Sequence, residues 1–191
     1  MRLSLEGKRV SIRLAGADPA ARLTPGEKLE GVSNYYLGTR AITGNSHYAS
    51  VRATNVLPGM DIVYYGNGSE LEYDFVVHPS ADPASVRLRF SGAGKPEIEA
   101  NGDLVLQAGG QIRLQKLAAW QEVGGQRHIV PCKYRISDDG EVSFMLGPYD
   151  RSIELTIDPV ISFSTFLSSS GNDTVAGVAV DSSGVYVTGF S

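Results

Sequence analysis

Apolar and polar residues alternate with a period of two along most of this chain, and no other feature restricts its folding as strongly. In the clearest segment, residues 70–77, every second residue is apolar: Leu71, Tyr73, Phe75 and Val77. Successive strand side chains point to opposite faces, so these four share one face, and burying it contributes roughly 1.5–3 kcal/mol per large side chain. Helical periodicity is nearly absent, and the pattern predicts an all-β protein.

Residue pairs suited to tight turns separate the alternating segments. Such pairs can adopt the positive φ that a two-residue hairpin turn requires, and they recur at close spacing: Asn101-Gly102, Gly109-Gly110, Gly124-Gly125 and Asp139-Gly140. Many short strands divided in this way are typical of sandwiches and barrels. We therefore expect an antiparallel β-sandwich-like domain over residues 1–158.

The N-terminal part of the chain contains one alternating segment and two stretches that lack the alternation. Residues 2–14 alternate around a Gly-Lys pair and predict a hairpin. Residues 15–31 contain two prolines and no periodic pattern, so residues 1–31 are expected to be a hairpin followed by a loop or a short helical turn. The polar stretch 41–46 predicts a second connection, between two short strands.

The composition changes near Asp158-Pro159, after which serine, glycine and small apolar residues prevail. Residues 175–180 and 185–189 predict two strands around a turn. A unit of this size cannot bury its own faces, and repeat architectures need roughly three or more copies for a continuous core. We interpret residues 159–191 as part of one repeat.

Several longer motifs resemble a known family: NYYLG (34–38), LPGMDIVYYGN (57–67), LEYDFVV (71–77), GDLVL (102–106), YD (149–150) and IDPV (157–160). They are similar to the domain of unknown function that precedes SBBP-type β-propeller repeats in large exported bacterial proteins. The tail resembles the opening of the first such repeat, with STFL (164–167), GND (171–173) and VDSSG (180–184) in place. The resemblance covers nearly the whole chain.

The resemblance implies a β-rich domain followed by a partial β-propeller blade over residues 159–191, in a secreted or cell-surface protein. It carries over no catalytic residues, so we expect a non-catalytic structural or interaction module and not an enzyme. The expected partners are the other propeller blades of the parent chain, and cell-surface proteins or glycans. The residues after Met1 lack the apolar core of a signal peptide, so no export signal is expected in this chain.

Charge and hydropathy argue against two kinds of partner. The net charge is −4, and no run of lysine or arginine provides a footprint for nucleic acid. No stretch reaches the roughly 18 apolar residues of a membrane span, so we expect no membrane insertion. The single cysteine, Cys132, is expected to be a buried, inert thiol, and the three histidines have no metal-type spacing.

An acidic row is the strongest candidate site. Alternation places Glu70, Glu72 and Asp74 on one strand face, with ~7 Å between successive members. We expect a solvated face paired with Arg87 and Arg89 on the next strand, since opposite charges on neighbouring strands are mildly stabilising. A calcium site and a glycosidase-like pair of carboxylates are the alternatives, so we expect no cofactor but leave calcium open.

Aromatic residues offer a second candidate site. Trp120 and Tyr65 are the residues that we select for a carbohydrate-binding surface, because aromatic faces stack on sugar rings. Tyr64 and Tyr65 point to opposite faces of their strand, so one of them at most can join such a surface. Most of the other aromatic residues are expected to pack in the core, in keeping with their preference for strands.

Overall fold

The computed structural model describes residues 2–5, 8–67, 70–108, 111–163, 174–181 and 184–190. These residues contain no α-helix, and a single 3₁₀ turn, Pro83–Ser85, interrupts the strands. None of them belongs to a helix that could cross a lipid bilayer. The strands are β1 (Arg2–Leu5), β2 (Lys8–Leu14), β3 (Arg22–Pro25), β4 (Lys28–Leu37), β5 (Arg40–Tyr48), β6 (Ser50–Leu57), β7 (Met60–Asn67), β8 (Glu70–Val77), β9 (Leu88–Ser91), β10 (Glu97–Ile98), β11 (Leu104–Gln107), β12 (Gln111–Leu114), β13 (Ala118–Val123), β14 (Gln126–Ile129), β15 (Cys132–Ile136), β16 (Val142–Leu146), β17 (Leu155–Asp158), β18 (Ile161–Phe163), β19 (Thr174–Asp181) and β20 (Gly184–Phe190).

Two large antiparallel sheets enclose the core. One has seven strands in the order β14-β13-β17-β8-β7-β6-β3, and the other has five in the order β1-β2-β9-β16-β15. Phe75 on β8 meets Phe144 on β16 edge to face, with the ring centroids 5.3 Å apart. A four-stranded sheet, β10-β11-β12-β18, adds the fully buried Leu104 and Leu114 to the same core. The prediction of an all-β, sandwich-like fold is confirmed.

Strand β8 has the two faces that its alternation predicts. Tyr73, Phe75 and Val77 are buried against the five-stranded sheet, which gives this strand its stabilising face. Their neighbours Glu72 and Asp74 point the other way, to the outer face of the seven-stranded sheet, because side chains alternate along a strand. The inner face thus holds the fold together, and the outer face carries polar chemistry.

Strand β17 lies in the middle of the seven-stranded sheet, although it comes late in the chain. It pairs with β8 on one side and β13 on the other, through Ile157 opposite both Phe75 and Ala119. The chain then leaves this sheet at Asp158, because Pro159 has no N–H to extend the ladder. The carbonyl of Val160 accepts from the backbone N–H of Gln115 at 2.8 Å, and β18 then joins the four-stranded sheet.

The expected hairpin at the N-terminus is confirmed, since β1 and β2 pair antiparallel. The two expected loops are wrong: residues 15–31 contain β3 and the start of β4, and residues 41–46 belong to β5. These strands escape detection because both of their faces meet solvent, so no alternation marks them. The tail forms the expected pair of strands, β19 and β20, and its interpretation as part of a propeller blade stays a prediction.

Candidate binding surface

The strand register brings the candidate residues together on the outer face of the seven-stranded sheet. Tyr65 lies opposite Glu72, and Asp158 lies opposite Ala118, which precedes Trp120 by two residues on β13. Continuing the β17–β8 register by one residue places Asp158 beside Asp74. We call this group the carboxylate face and define it by Tyr65, Glu72, Asp74, Trp120, Arg127 and Asp158.

Two polar contacts organise the carboxylate face. The hydroxyl of Tyr65 donates to Oδ1 of Asp74 at 3.1 Å. The guanidinium of Arg127 lies over the ring of Trp120, 4.5 Å from the ring centroid, which is within the range of a cation–π interaction. The Trp120 ring therefore already has a cationic group stacked on it, and the Tyr65 hydroxyl already has an acceptor.

Two carboxyl groups of this face, those of Asp158 and Asp74, have a raised pKa and hold their protons more tightly than free carboxyls. Burial raises the pKa of Asp158 to about 6, and the negative charges of Asp74 and Glu72 add to the shift, while Arg127 opposes it. Burial also raises the pKa of Asp74, against the hydrogen bond from Tyr65. Oδ1 of Asp158 is buried and has no hydrogen-bond partner among the described residues, which makes its charged form still less favourable.

The expectation of a solvated acidic row is wrong for the residues whose side chains are described. Glu72 is buried, with 9% of its surface exposed, and Asp74 is partly buried. The expected pairing with Arg87 and Arg89 is also wrong, because β9 joins the five-stranded sheet, where both arginines face Glu141. The backbone of Glu70 pairs with Asn67, and its side chain lies outside the described part of the structure.

Sequence reasoning missed two members of the carboxylate face, Asp158 and Arg127. The alternation of Leu155 and Ile157, both buried, predicts that Asp158 points outward, but it does not predict which strand lies beside it. Within the described ranges, no three His, Cys, Asp or Glu side chains are placed to hold a metal ion, so calcium stays a prediction. Trp120 and Tyr65 do share a face, as a carbohydrate-binding surface would require, although sugar binding itself stays a prediction.

Cys132 and His78 lie away from this group. The thiol of Cys132 donates to the carbonyl of Leu117 at 3.2 Å, and burial raises its pKa to about 11, so it is a weak nucleophile. His78 contacts Asp61 through Nε2 at 3.0 Å and Glu154 through Nδ1 at 3.4 Å. His78 therefore has carboxylate partners that its position in the sequence does not indicate.

A second surface is a hairpin that leaves the sheet. Strands β3 and β6 pair at the sheet edge, and the same hairpin continues outward as β4 and β5, which pair only with each other in the part of the structure described. We call residues 28–48 the β4–β5 ribbon. Its described side chains include none that is buried, and it exposes six large apolar residues: Leu29, Val32, Tyr35, Tyr36, Ile42 and Tyr48.

Comparison with known families gives one match. The model of a family described as Domain of unknown function (DUF7948) matches residues 2–160. No curated protein and no solved structure matches the chain. The matched region includes every strand from β1 to β17, and with them both large sheets, the carboxylate face and the β4–β5 ribbon.

Proposed function

The chain belongs to the family described as Domain of unknown function (DUF7948), and we propose that it is a non-catalytic structural and interaction module. We further propose that it belongs to a secreted or cell-surface bacterial protein with SBBP-type repeats, on the motifs of residues 159–191. The observation that carries the proposal is the β4–β5 ribbon. We propose that this ribbon packs against the neighbouring propeller blades of the parent chain.

The ribbon has the composition of a surface that another part of an assembly covers. An isolated two-stranded hairpin is marginally stable in water, and strand β4 alone runs for 10 residues, or roughly 33 Å. Tyr36 exposes 73% of its surface and Val32 exposes 55%. Covering each such side chain contributes roughly 1.5–3 kcal/mol, so a partner that covered several would stabilise the ribbon considerably.

The edges and the charges of the ribbon favour a β-rich protein partner. Among the residues that the structure describes, no strand lies beside either edge of the ribbon, and such edges pair readily with other strands. The charges of Lys28, Glu30 and Arg40 are mixed in sign, so they do not select a polyelectrolyte. The β19–β20 hairpin is also a two-stranded sheet, and repeats of this kind need neighbours to bury their faces.

The experiment is site-specific photo-crosslinking in the full-length parent protein. A crosslinking residue at Tyr36 is expected to join the ribbon to a repeat that follows residue 160. The matched control is a crosslinker at Asp138, an exposed residue in the turn between β15 and β16. Mass spectrometry identifies the joined peptides. The proposal would be overturned if the crosslinker at Tyr36 joined exposed peptides at random, at the same frequency as the crosslinker at Asp138.

The carboxylate face supports a second candidate function, carbohydrate binding. Tyr65 and Trp120 share it with Asp74 and Asp158, and carboxylates are good acceptors for sugar hydroxyls. A glycan array that loses its signal with Trp120→Ala but keeps it with Tyr36→Ser would support this function. Turnover of a chromogenic glycoside by the same samples, lost with Glu72→Gln, would show a hydrolase instead of a binding module.

A further inference from the structure

Three arginines from separate elements line one cavity of about 360 Å³. Arg87 follows the 3₁₀ turn, Arg135 lies on β15, and Arg151 lies in the segment between β16 and β17. We propose that this arginine cavity binds a small organic anion through its carboxylate, sulfate or phosphate group. The cavity lies on the five-stranded sheet, and the proposal does not depend on the β4–β5 ribbon or the carboxylate face.

The cavity exists because, in the described part of the chain, β16 has no strand beside most of one of its edges. β16 pairs with β15 along its whole length, but its pairing with β9 is limited to Val142 opposite Leu88. The 3₁₀ turn occupies the place beyond that pair. Its conformation is fixed by Asp82, whose carboxylate accepts from the backbone N–H of Ala84 at 3.0 Å. A fixed turn beside an open strand edge makes a recess that belongs to the fold.

The charges around the recess are predominantly positive. Arg87 donates to the carbonyls of Ala84 and Val86, which hold its guanidinium in place. Arg151 has a contact of 3.4 Å to the carbonyl of Ala81. Within the described residues, neither Arg135 nor Arg151 has a carboxylate within 4.0 Å, although the chain as a whole has a net charge of −4.

Few acidic groups oppose these three cations. Among the lining residues the acidic one is Asp82, and its carboxylate is already engaged in capping the 3₁₀ turn. Glu141 lies 3.9 Å from Nε of Arg87, but its carboxylate also pairs with Arg89. The cavity therefore has two arginines whose charge the described residues leave uncompensated.

The chemistry of the lining matches an oxyanion on a small organic body. The planar guanidinium binds carboxylate, sulfate or phosphate oxygens through two parallel hydrogen bonds, a geometry that lysine does not provide. The hydroxyl of Tyr149 adds a donor, and Pro83 and Phe144 add apolar surface. The Ser143 hydroxyl already donates to the carbonyl of Arg135 at 3.5 Å. A volume of about 360 Å³ is at the small end of the range for ligand pockets and suits one or two sugar-sized rings.

The experiment is isothermal titration calorimetry of the full chain with inorganic sulfate, inorganic phosphate, glucuronate and glucose at constant ionic strength. We expect saturable 1:1 binding of at least one anion and none of glucose. The test variant is Arg135→Gln/Arg151→Gln, and the control is Arg22→Gln/Arg40→Gln, which removes the same charge from exposed sites far along the chain. The four probes also distinguish an inorganic anion from a sugar carboxylate.

The cavity variant is expected to weaken anion binding by about tenfold or more, while the control variant changes it little. Circular dichroism verifies that both variants are folded. We expect them to fold because the substituted arginines are exposed. The proposal is overturned if no anion shows saturable binding at concentrations up to about 10 mM. Equal weakening in the two variants would also overturn it, because it would show a general charge effect.

Discussion

The carboxylate of Asp61 accepts a hydrogen bond from the backbone N–H of Asn55 at 2.7 Å, at the point where β6 departs from regular pairing with β7. Asn55 has a φ of 55°, which an L-residue rarely adopts, and its side-chain oxygen accepts from the backbone N–H of Gly59 at 3.1 Å. Asp61 also pairs with Arg52 at 2.9 Å and with His78 at 3.0 Å. One buried carboxylate thus joins two strands and the end of a third.

We expect Asp61→Asn to lower the free energy of unfolding by about 2–4 kcal/mol, because it leaves Arg52 without its charge partner and weakens the hold on Asn55. Urea denaturation measures the change. Asp138→Asn, an exposed aspartate in another turn, serves as the control and should change stability by less than about 0.5 kcal/mol. Similar losses in both variants would contradict the role of Asp61.

Asp158 should make the protein less stable as the pH rises. Its folded pKa is about 6 and its ordinary value is 3.8, so its protonated form favours the folded state. The stability that protonated Asp158 contributes is complete below about pH 4 and is lost as the pH passes through about 6. Asp158→Asn should therefore equal the parent at pH 4 and exceed it at pH 7 by about 1–2 kcal/mol, after allowance for solvent screening of a half-exposed group.

Denaturation of parent and Asp158→Asn at pH 4, 5, 6 and 7 tests this expectation through the difference between the two curves. Taking the difference removes the contribution of other carboxylates, such as Asp61, whose pKa is lowered. Burial raises the Asp61 pKa, but the Asn55 N–H, Arg52 and His78 together outweigh burial. A difference that does not change between pH 4 and pH 7 would show that the Asp158 pKa is not raised.

Gly59→Ala should lower stability by about 2–3 kcal/mol, through strain and through contact. Gly59 has a φ of +69°, and an added Cβ would lie 2.9 Å from Cβ of Ala81. Gly31→Ala is the matched control, since Gly31 also has a positive φ, +95°, but no atom of the described residues lies within 4 Å of its added Cβ. Thermal melts of the two variants separate strain from contact, and an equal loss in both would leave no role for Ala81.

The β4–β5 ribbon should contribute little to the stability of the isolated chain. Val32→Ser and Tyr36→Ser each remove an exposed apolar group, so the free energy of unfolding should change by less than about 0.5 kcal/mol. Phe75→Ala provides the contrast, since truncating a buried phenylalanine costs about 3–5 kcal/mol. A loss of several kcal/mol from Tyr36→Ser in a monomeric sample would show that the ribbon is covered within the chain itself.

The sequence is informative about the fold wherever one face of a strand is buried. The alternation around Phe75 predicts both the strand and its buried face, and the Asn101-Gly102 and Gly124-Gly125 pairs predict the turns. Residues 35–37 are predicted as a strand, but the rest of the β4–β5 ribbon is missed because solvent on both faces removes the periodic signal. The sheet order is also beyond local patterns, since Arg89 follows β8 along the chain but pairs with Glu141 in the other large sheet.

The candidate surfaces divide in the same way. Tyr65, Glu72 and Asp74 share a face because they lie on two consecutive strands, a short-range relationship that alternation predicts. Asp158 joins them through pairing between segments about eighty residues apart, which no local pattern encodes. The arginine cavity depends on the same kind of distant relationship, because its three arginines belong to separate elements.

The central position of β17 has a consequence for the order of folding during synthesis. Until residues 155–158 leave the ribosome, the seven-stranded sheet exists only as two separate groups, β14-β13 and β8-β7-β6-β3. The buried side chains of Leu155 and Ile157 are then missing from the space between Phe75 and Ala119. The seven-stranded sheet can therefore close only late in synthesis, when this four-residue strand is inserted between the two groups.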